Sequence, residues 1–402
     1  MELRKLALPL MLSGLLVSCQ QNELPTGLVP APPPPITTNW LSPDLGLQIY
    51  RDLYRLKPES NLCFSPFSLY SALGLAANAA DGNTQEQILS ALGLTGVDLD
   101  ILNQEYEKYT REVLVADPAT TVETANVAWY QDGMTIKPEF TDRINYYYGA
   151  EAVPVDFLSP TALDIINGWV NEKTHGLIPT ILSVIPPGML AGLANTTYFN
   201  GRWTDVFDRR FTFLRTFTKI DKTEVDCALM HGYKDCGIYS SDLCDGIELP
   251  YGNMTWAMYA FMPRSSMHLG EITDFLVETW PEPIAQFEPK KYFNVWFPQF
   301  QIESEINLIE LLKLAGIQEM FTNQADFSAM TDTFLKVGNV TQKTLIKVNE
   351  DGTEAAAATI ISLVGSSLYE LYFNRPFIFV IAEKLTGTIL FIGQVTDPSK
   401  KT

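Results

Sequence analysis

The sequence has few of the residues on which common catalytic and metal sites depend. Its 402 residues include 3 histidines and 5 cysteines. It contains no G-x-S-x-G, H-E-x-x-H, Walker or G-x-G-x-x-G motif. His175 precedes a glycine at an expected helix end, where it would help to cap backbone carbonyls, and His268 stands in a polar segment. We therefore expect no enzymatic activity, no cofactor and no metal.

Positive charge and long apolar runs are also scarce. The 28 basic residues stand against 47 acidic ones, which gives a formal net charge of -19. A protein that follows a phosphate backbone needs positive potential, so nucleic acid is excluded as a partner. No apolar run reaches the roughly 20 residues that a membrane-spanning helix needs. The chain is instead long and apolar enough to bury a large core.

The amino end has the pattern of a targeting segment. Arg4 and Lys5 precede an apolar stretch, so residues 1–18 are predicted to be a lipoprotein signal peptide. The stretch ends in the letters LVSC, which resemble a bacterial lipobox. Cys19 is therefore the predicted lipidation site, and an ordinary cleavage site with an incidental cysteine is the alternative.

A proline-rich stretch follows the predicted lipidation site. Residues 19–39 favour an extended chain of ~3.1 Å per residue, which predicts a tether between a lipid anchor and a folded domain. Residues 40–402 contain neither a linker nor an internal repeat, and we expect them to form one domain. We expect that domain outside the cytoplasm, anchored to a bacterial outer membrane or cell surface.

The other four cysteines allow two interpretations. Cys63 lies in an apolar stretch and is expected to be a small core residue. Cys227, Cys236 and Cys244 flank His231, but their spacing lacks the two close ligand pairs typical of a structural zinc site. Outside the cytoplasm, one disulfide between two of these three or buried free thiols are the expected states.

Helical and strand patterns alternate along residues 40–402. Ser65-Pro66 predicts a helix start, and Thr84 with Gln87 predicts a capping box for a short helix that ends near Gly93. Residues 292–302 alternate like one strand, and residues 303–317 read as a helix closed by a glycine. The apolar runs 377–383 and 388–395 predict strands that are buried on both faces.

Five segments, in order along the chain, carry a resemblance to a known family. They are residues 61–68 (NLCFSPFS), 167–178 (NGWVNEKTHGLI), 194–203 (ANTTYFNGRW), 350–359 (EDGTEAAAAT) and 373–398 (FNRPFIFVIAEKLTGTILFIGQVTDP). Together they resemble the serpin family of protease inhibitors. The resemblance implies an α+β fold, a serpin-like single domain with three β-sheets, about nine helices and an exposed reactive-centre loop.

The resemblance also implies mobile regions beneath and above the central sheet. Ser65, Ser68 and Asn195 would form the shutter, where two strands must part. Gln342 would join them at a position where many members keep a histidine. Trp203 would mark the breach, where loop insertion begins.

The segment after residue 349 resembles the hinge of an inhibitory serpin. Its residues are Glu350, Gly352, Thr353, Glu354, Ala355, Ala356, Ala357 and Ala358. Read without the resemblance, these alanines would predict a helix start. In the family, a protease cleaves the loop as an acyl-enzyme, and the cleaved loop inserts as a new strand. Alternate positions from Thr353 to Gly365 carry no charge, as a strand with one buried face requires.

The loop sequence predicts which proteases it attracts. Counted from Glu350 as in the family, the scissile bond is Ser366-Ser367. Because the loop is shorter than is common, the alternative is a bond that follows Leu363, Val364, Gly365, Leu368 or Tyr369. No Arg or Lys lies in residues 353–372, so a trypsin-like target is not expected.

The resemblance and the loop together predict an irreversible inhibitor of elastase-, subtilisin- or chymotrypsin-like serine proteases that acts as a monomer. Papain-like cysteine proteases are secondary targets. A non-inhibitory serpin that acts as a binding module is the alternative.

Overall fold

The computed structural model describes residues 44–264, 268–353 and 370–400. The helices are α1 (Asp44–Leu56), α2 (Pro66–Ala79), α3 (Gly82–Ala91), α4 (Leu99–Glu112), α5 (Pro138–Tyr148), α6 (Ala162–Lys173), α7 (Leu269–Thr279) and α8 (Ile309–Leu314). The strands are β1 (Leu62–Phe64), β2 (Thr120–Gln131), β3 (Glu151–Val155), β4 (Ala191–Arg202), β5 (Thr212–Thr218), β6 (Glu224–Ser240), β7 (Cys244–Pro250), β8 (Trp256–Pro263), β9 (Glu288–Pro298), β10 (Phe300–Asn307), β11 (Thr341–Asn349), β12 (Gly352–Thr353), β13 (Glu370–Tyr372), β14 (Phe377–Glu383) and β15 (Ile389–Val395).

The strands of the described residues form two sheets. One is nine-stranded, in the order β1-β15-β14-β8-β7-β6-β9-β13, with β5 paired to β6. The other is six-stranded, in the order β10-β11-β12-β4-β2-β3. The α+β class is confirmed. Two sheets appear rather than three because β6 is a continuous strand of 17 residues, which pairs with β5 and β9 and, near its end, with β7.

The main core lies between the two sheets and around α2. Ser65 caps this helix, since its hydroxyl accepts a hydrogen bond from the Ser68 backbone at 3.1 Å. Almost every residue of α2 is buried, because the helix packs between β4 of one sheet and β15 of the other. All residues of β14 and β15 are buried, which confirms the prediction from their apolar runs.

The predicted capping box of the third helix is wrong. This helix, α3, begins after Asp81, whose carboxylate accepts a hydrogen bond from the Gly82 backbone at 2.7 Å. The Thr84 hydroxyl instead donates to the Glu319 carboxylate at 2.8 Å, and the Gln87 carbonyl accepts from the Glu319 backbone at 2.9 Å. Both side chains therefore join α3 to a distant segment rather than cap it.

The prediction of one strand followed by a long helix over residues 292–317 is also wrong. The first strand ends at Pro298, and the next begins at Phe300 in the other sheet. Buried residues alternate with exposed ones through Ser304 and Ile306, which is the period of a strand. Only Ile309–Leu314 is helical, and it is one of eight α-helices in the described residues, alongside three short 3-10 segments (Arg209–Phe211, Glu282–Gln286 and Glu319–Phe321).

A second, smaller core lies on the other face of the six-stranded sheet. There α6 buries Ile166 and Val170 against Trp129 of β2 and Ala194 of β4. This sheet is therefore covered on both faces, by α2 on one side and α6 on the other. Among the described helices, none combines the length and apolar character needed to cross a membrane.

Candidate functional site

The six-stranded sheet is interrupted between β4 and β11. At one end, Gly352 and Thr353 pair with the last residues of β11 on one side and with Arg202 and Gly201 of β4 on the other. Beyond Thr353, no backbone pair joins β4 to β11 within the part of the chain that the structure describes. We call this opening the slot.

The slot contains unfilled space. A cavity of about 450 Å³ is lined by Asn195 of β4, Gln342 of β11 and Ser68 of α2. A smaller cavity of about 20 Å³ lies just below Thr353 and is lined by Phe199 and other residues of the sheet. This space is partly open to the surface, and the apolar residues that line it lack the close packing of a protein interior.

The head of the slot requires a glycine. Gly352 has φ 150°, and a Cβ there would collide with the carbonyl oxygen of Gly201. Thr353 follows with its side chain buried, and its hydroxyl is 2.6 Å from the hydroxyl of Tyr251. The backbone can therefore lie between two strands only because this position has no side chain.

Trp203 lies at this same junction. Its indole N–H donates to the Asn349 carbonyl at 2.9 Å, and its backbone N–H donates to the Asp351 carbonyl at 2.9 Å. Its ring stacks on Tyr251 with centroids 4.4 Å apart. The predicted breach residue therefore contacts the strand end from which the hinge begins.

Two buried carboxylates fix the base of the hinge. Glu350 accepts a hydrogen bond from the Thr212 hydroxyl at 2.5 Å, and its carbonyl accepts one from the Phe207 backbone at 2.9 Å. Asp351 forms an ion pair with Arg209, and this pairing raises the pKa of the Arg209 guanidinium. The hinge therefore starts from a fixed point.

The Gln342 side chain of β11 binds the backbone of Ser65, the residue that precedes α2. Its side-chain carbonyl accepts from the Ser65 backbone N–H at 2.8 Å, and its amide donates to the Ser65 carbonyl at 2.9 Å. Ser304 and Thr344 bind the backbone of Cys63 in the same way, at 2.9 and 2.8 Å. Side chains of β10 and β11 thus hold β1, an edge strand of the other sheet, by hydrogen bonds.

Asn195 faces the slot from the opposite side. Its side-chain amide donates to the Thr124 hydroxyl at 2.7 Å and to the Asn126 side-chain oxygen at 2.9 Å. It therefore binds across to β2 within its own half of the sheet. Ser68, Asn195 and Gln342 all line the larger cavity, so the structure brings these predicted shutter residues to one place.

Several predicted site residues lie outside the described residues. They are Cys19, Glu354, Ala355, Ala356, Ala357, Ala358, Ser366 and Ser367.

The described cysteines are buried free thiols, so the expectation of a disulfide is wrong and its alternative holds. Burial raises the thiol pKa to about 12 for Cys63, Cys227 and Cys236 and to about 11 for Cys244. In the described part of the chain, no group of His, Cys, Asp and Glu side chains is arranged to hold a metal ion.

His175 and His231 contact side chains. His175 does not cap carbonyls as predicted, because its Nε2 lies 2.7 Å from the Glu123 carboxylate. His231 lies 2.9 Å from the Asn294 side-chain oxygen and stacks on Trp296. Sequence reasoning also missed Tyr251, Ser304 and Thr344, which carry no local motif.

A family model described as Serpin (serine protease inhibitor) matches residues 41–398. Iripin-4 from Ixodes ricinus is 32% identical over 362 residues, which cover 84% of this chain and 89% of that protein. The native-state crystal structure of the thermophilic serpin tengpin matches with a TM-score of 0.81 and 26% identity, covering 89% of this chain and 93% of that one. Thyroxine-binding globulin in complex with thyroxine has a TM-score of 0.82 at 23% identity, covering 90% and 99%, which is a likeness of fold.

Proposed function

Because the chain belongs to the serpin family, whose members are generally protease inhibitors, we propose that it is an irreversible suicide-substrate inhibitor of serine proteases. The protease's serine oxygen attacks the carbonyl carbon of the scissile bond, here Ser366-Ser367. The C–N bond breaks, the leaving amine takes the proton, and an ester joins the loop to the enzyme. Insertion of the cleaved loop then traps this acyl-enzyme.

The interrupted pairing of β4 and β11 supports this function more than any other feature. Two strands whose facing edges are unpaired within residues 44–264, 268–353 and 370–400 border a cavity, and the first residues of the hinge already occupy its head. A loop that continues from Thr353 in the same register would complete both ladders. We infer that the slot receives the cleaved loop.

The existing register assigns a position to each incoming residue. Continued downward, it sets Ala355 between Phe199 and Ile346, and Ala357 between Thr197 and Thr344. Directly paired residues share a face of the sheet, and Thr353 faces the core. Ala355 and Ala357 would therefore face the core, where small side chains fit beneath the neighbouring strands.

The shutter residues Gln342 and Asn195 lie two positions beyond those that Ala357 would pair with. The same register sets Thr359 between Gln342 and Asn195. A threonine hydroxyl can donate to and accept from either amide, so the inserted strand can satisfy both side chains.

The inserted strand would gain hydrogen bonds on both of its edges. At ~0.5–1.5 kcal/mol net for each hydrogen bond, insertion contributes on the order of 10 kcal/mol. Filling the cavity of about 450 Å³ adds apolar contacts to that gain. A gain of this size is comparable with the whole stability of a typical domain, ~5–15 kcal/mol, and it would hold a distorted acyl-enzyme in place.

The expected targets are elastase-, subtilisin- or chymotrypsin-like serine proteases, with papain-like cysteine proteases second. The absence of Arg and Lys from residues 353–372 supports this selection. We propose that the protein acts as a monomer and catalyses no reaction of its own. We also propose a lipid anchor at Cys19, for which Cys19→Ser should move the protein out of the membrane fraction; unchanged fractionation would contradict the anchor.

Covalent trapping tests the proposed function. The mature protein is mixed with elastase, subtilisin, chymotrypsin, trypsin and papain, and the products are separated on a denaturing gel. We expect a band at the summed mass with at least one of the first three enzymes, and mass spectrometry of the released peptide identifies the scissile bond. Cleavage of the loop without such a band for any protease would indicate a non-inhibitory serpin.

A further inference from the structure

The chain between α6 and β4 covers the slot from outside the molecule. Residues 174–190 have no regular secondary structure, and we call them the strap. Leu177 and Ile178 of the strap line the smaller cavity together with Tyr198 of β4 and Leu345 of β11. Buried and half-buried residues alternate along β11, so Leu345 points away from the core, and Tyr198 does the same on β4. The strap therefore crosses the slot from one strand to the other near its head.

The slot is closed on both faces, by α2 inside and by the strap outside. Ser68 and Leu69 of α2 line the larger cavity from the core side, and Ile181 and Leu182 of the strap line it as well. Because α2 is almost wholly buried, it cannot move aside without opening the main core. Residues 175–190 are half-buried or exposed. A strand that enters the slot must therefore come from outside, and the strap has to lift to admit it.

His175 fastens the beginning of the strap to the sheet. Its Nε2 lies 2.7 Å from the Glu123 carboxylate of β2, and its ring centroid lies 4.5 Å from that of Tyr198. Its backbone has φ 51°, a left-handed conformation that costs free energy in a residue other than glycine and persists where the surroundings fix it. The middle of the strap is bound to α6 instead, because the Asn167 side-chain oxygen accepts from two strap backbone N–H groups at 2.8 and 3.0 Å. The His175–Glu123 pair thus ties the strap directly to the sheet.

The titratable groups around His175 come from three elements. Glu123 lies on β2 and Tyr198 on β4, while Glu172 and Lys173 precede His175 at the end of α6. Lys173 is itself 3.2 Å from a carboxylate of β3. A protonated imidazole binds a carboxylate more strongly than a neutral one, and histidine is the side chain whose charge changes between pH 5 and 8. The strength of the His175–Glu123 pair therefore depends on pH in this range.

We propose that His175 and Glu123 form a latch that holds the strap over the slot and tightens when His175 is protonated. This inference rests on the proposed function, since the latch matters only if a strand enters the slot. Because acid favours the latched strap, insertion should be slower at about pH 5.5 than at about pH 7.5. Both side chains are 52% exposed, and exposed ion pairs are weak, so the expected change is only about threefold.

Peptide uptake at two pH values tests the latch. The peptide TEAAAATIISLVGS has the sequence of residues 353–366. It is fluorescently labelled and incubated with each variant at about pH 5.5 and about pH 7.5, and uptake is followed on native gels. His175→Asn removes the titrating ring, and asparagine tolerates a left-handed backbone. Glu123→Gln removes the charge of the partner, and His268→Asn, at an exposed histidine before α7, is the matched control.

We expect the wild-type protein and His268→Asn to take up the peptide about threefold more slowly at the lower pH. His175→Asn and Glu123→Gln should take it up at nearly equal rates at both pH values, because neither can form the ion pair. Equal rates in the wild type, or a His175→Asn protein that keeps the wild-type ratio of rates, would overturn the latch while leaving the proposed function intact. Failure of the wild-type protein both to take up the peptide and to trap a protease would contradict the proposed function as well.

Hydrogen exchange of the strap tests the latch in the protein with an uncleaved loop. At about pH 6, peptides from residues 174–190 should exchange about threefold faster in His175→Asn than in the wild type, and peptides from α2 should not change. At about pH 8, where histidines are generally neutral, the difference should be smaller. An equal difference at both pH values would contradict the dependence on protonation, and no difference at either would overturn the latch.

Discussion

The two sheets of this molecule are built from similar strands but differ in how completely those strands are paired. In the nine-stranded sheet, β14 is paired along its length on both sides, to β15 and to β8, and all its residues are buried. In the six-stranded sheet, the long strands β4 and β11 are joined, among the described residues, only through Gly352 and Thr353. β14 has nothing left to gain from pairing, whereas in the described part of the chain the facing edges of β4 and β11 are unpaired and lie beside an unfilled cavity.

Side-chain hydrogen bonds hold the unpaired half in place. Gln342, Ser304 and Thr344 bind the backbone at Ser65 and Cys63, and Asn195 binds across to β2. Such bonds contribute about 1 kcal/mol each, so they can break and re-form when a strand enters. The comparison shows how one fold can combine a rigid sheet with a second sheet that can accept another strand.

The largest expected effect on protease trapping comes from a charged substitution at the head of the slot. Thr353 is 2% exposed and contacts Tyr251, so Thr353→Arg would bury an unpaired charge there. We expect the yield of covalent complex to fall at least about tenfold while loop cleavage continues, since burying such a charge costs several kcal/mol. Gel analysis of matched reactions gives both quantities.

Thr353→Ser keeps the hydroxyl and is the control for that variant, and it should trap protease as the wild type does. A Thr353→Arg protein that still forms the covalent complex at the wild-type yield would show that insertion does not pass through this position.

Two buried glutamines, one in each sheet, sharpen the comparison. Gln342 binds Ser65, and Gln394 donates to the carbonyls of Lys57, Pro58 and Ser60. Gln342→Ala leaves the buried Ser65 backbone groups without partners, and Gln394→Ala removes three hydrogen bonds that hold the segment before β1. Each change should lower the free energy of unfolding by about 1–3 kcal/mol. Denaturant titration measures this loss.

Only the Gln342 variant should also change the number of inhibitor molecules consumed for each protease trapped, because only that glutamine borders the slot. If Gln394→Ala alters this number as much as Gln342→Ala does, the two sheets do not differ in the way proposed here.

The smallest expected effect concerns the access of solvent to the buried cysteine thiols. Burial raises the thiol pKa to about 12 for Cys63, near the slot, and for Cys227 and Cys236 in the nine-stranded sheet. A thiolate is the reactive form, and with such a pKa about one thiol in ten thousand is ionised at pH 8. We expect no labelling by iodoacetamide over several hours in the native state and full labelling after denaturation. Labelling of Cys63 alone in the native protein would mean that the slot already admits solvent.

The sequence predicted the elements whose signals are local. Apolar runs identified β14 and β15, and Ser65-Pro66 identified the start of α2. Thr84 and Gln87 have the spacing of a local capping box, but both bind Glu319, which is more than two hundred residues away in the chain. β6 merges two of the expected sheets because it continues through both of them and pairs with several other strands. No local sequence signal predicts that continuity.

In the candidate site too, some residues carry a signal in the sequence and others do not. Trp203 and Gln342 were found through family motifs, and both lie beside the slot. Tyr251 carries no local signal, since its hydroxyl contacts that of Thr353, a residue far away in the chain. Such roles appear only when the strands are placed side by side.

Hydrogen exchange of strand amides, followed by mass spectrometry before and after loop cleavage, tests the central claim most directly. The loop is cleaved with a metalloprotease such as thermolysin, which forms no acyl-enzyme and is therefore not trapped, and peptides from β4, β11, β14 and β15 are compared. We predict that protection of β4 and β11 rises strongly after cleavage, while that of β14 and β15 stays the same, because only the first pair gains a strand between them. Unchanged protection of β4 and β11 in the cleaved protein would contradict insertion into the slot.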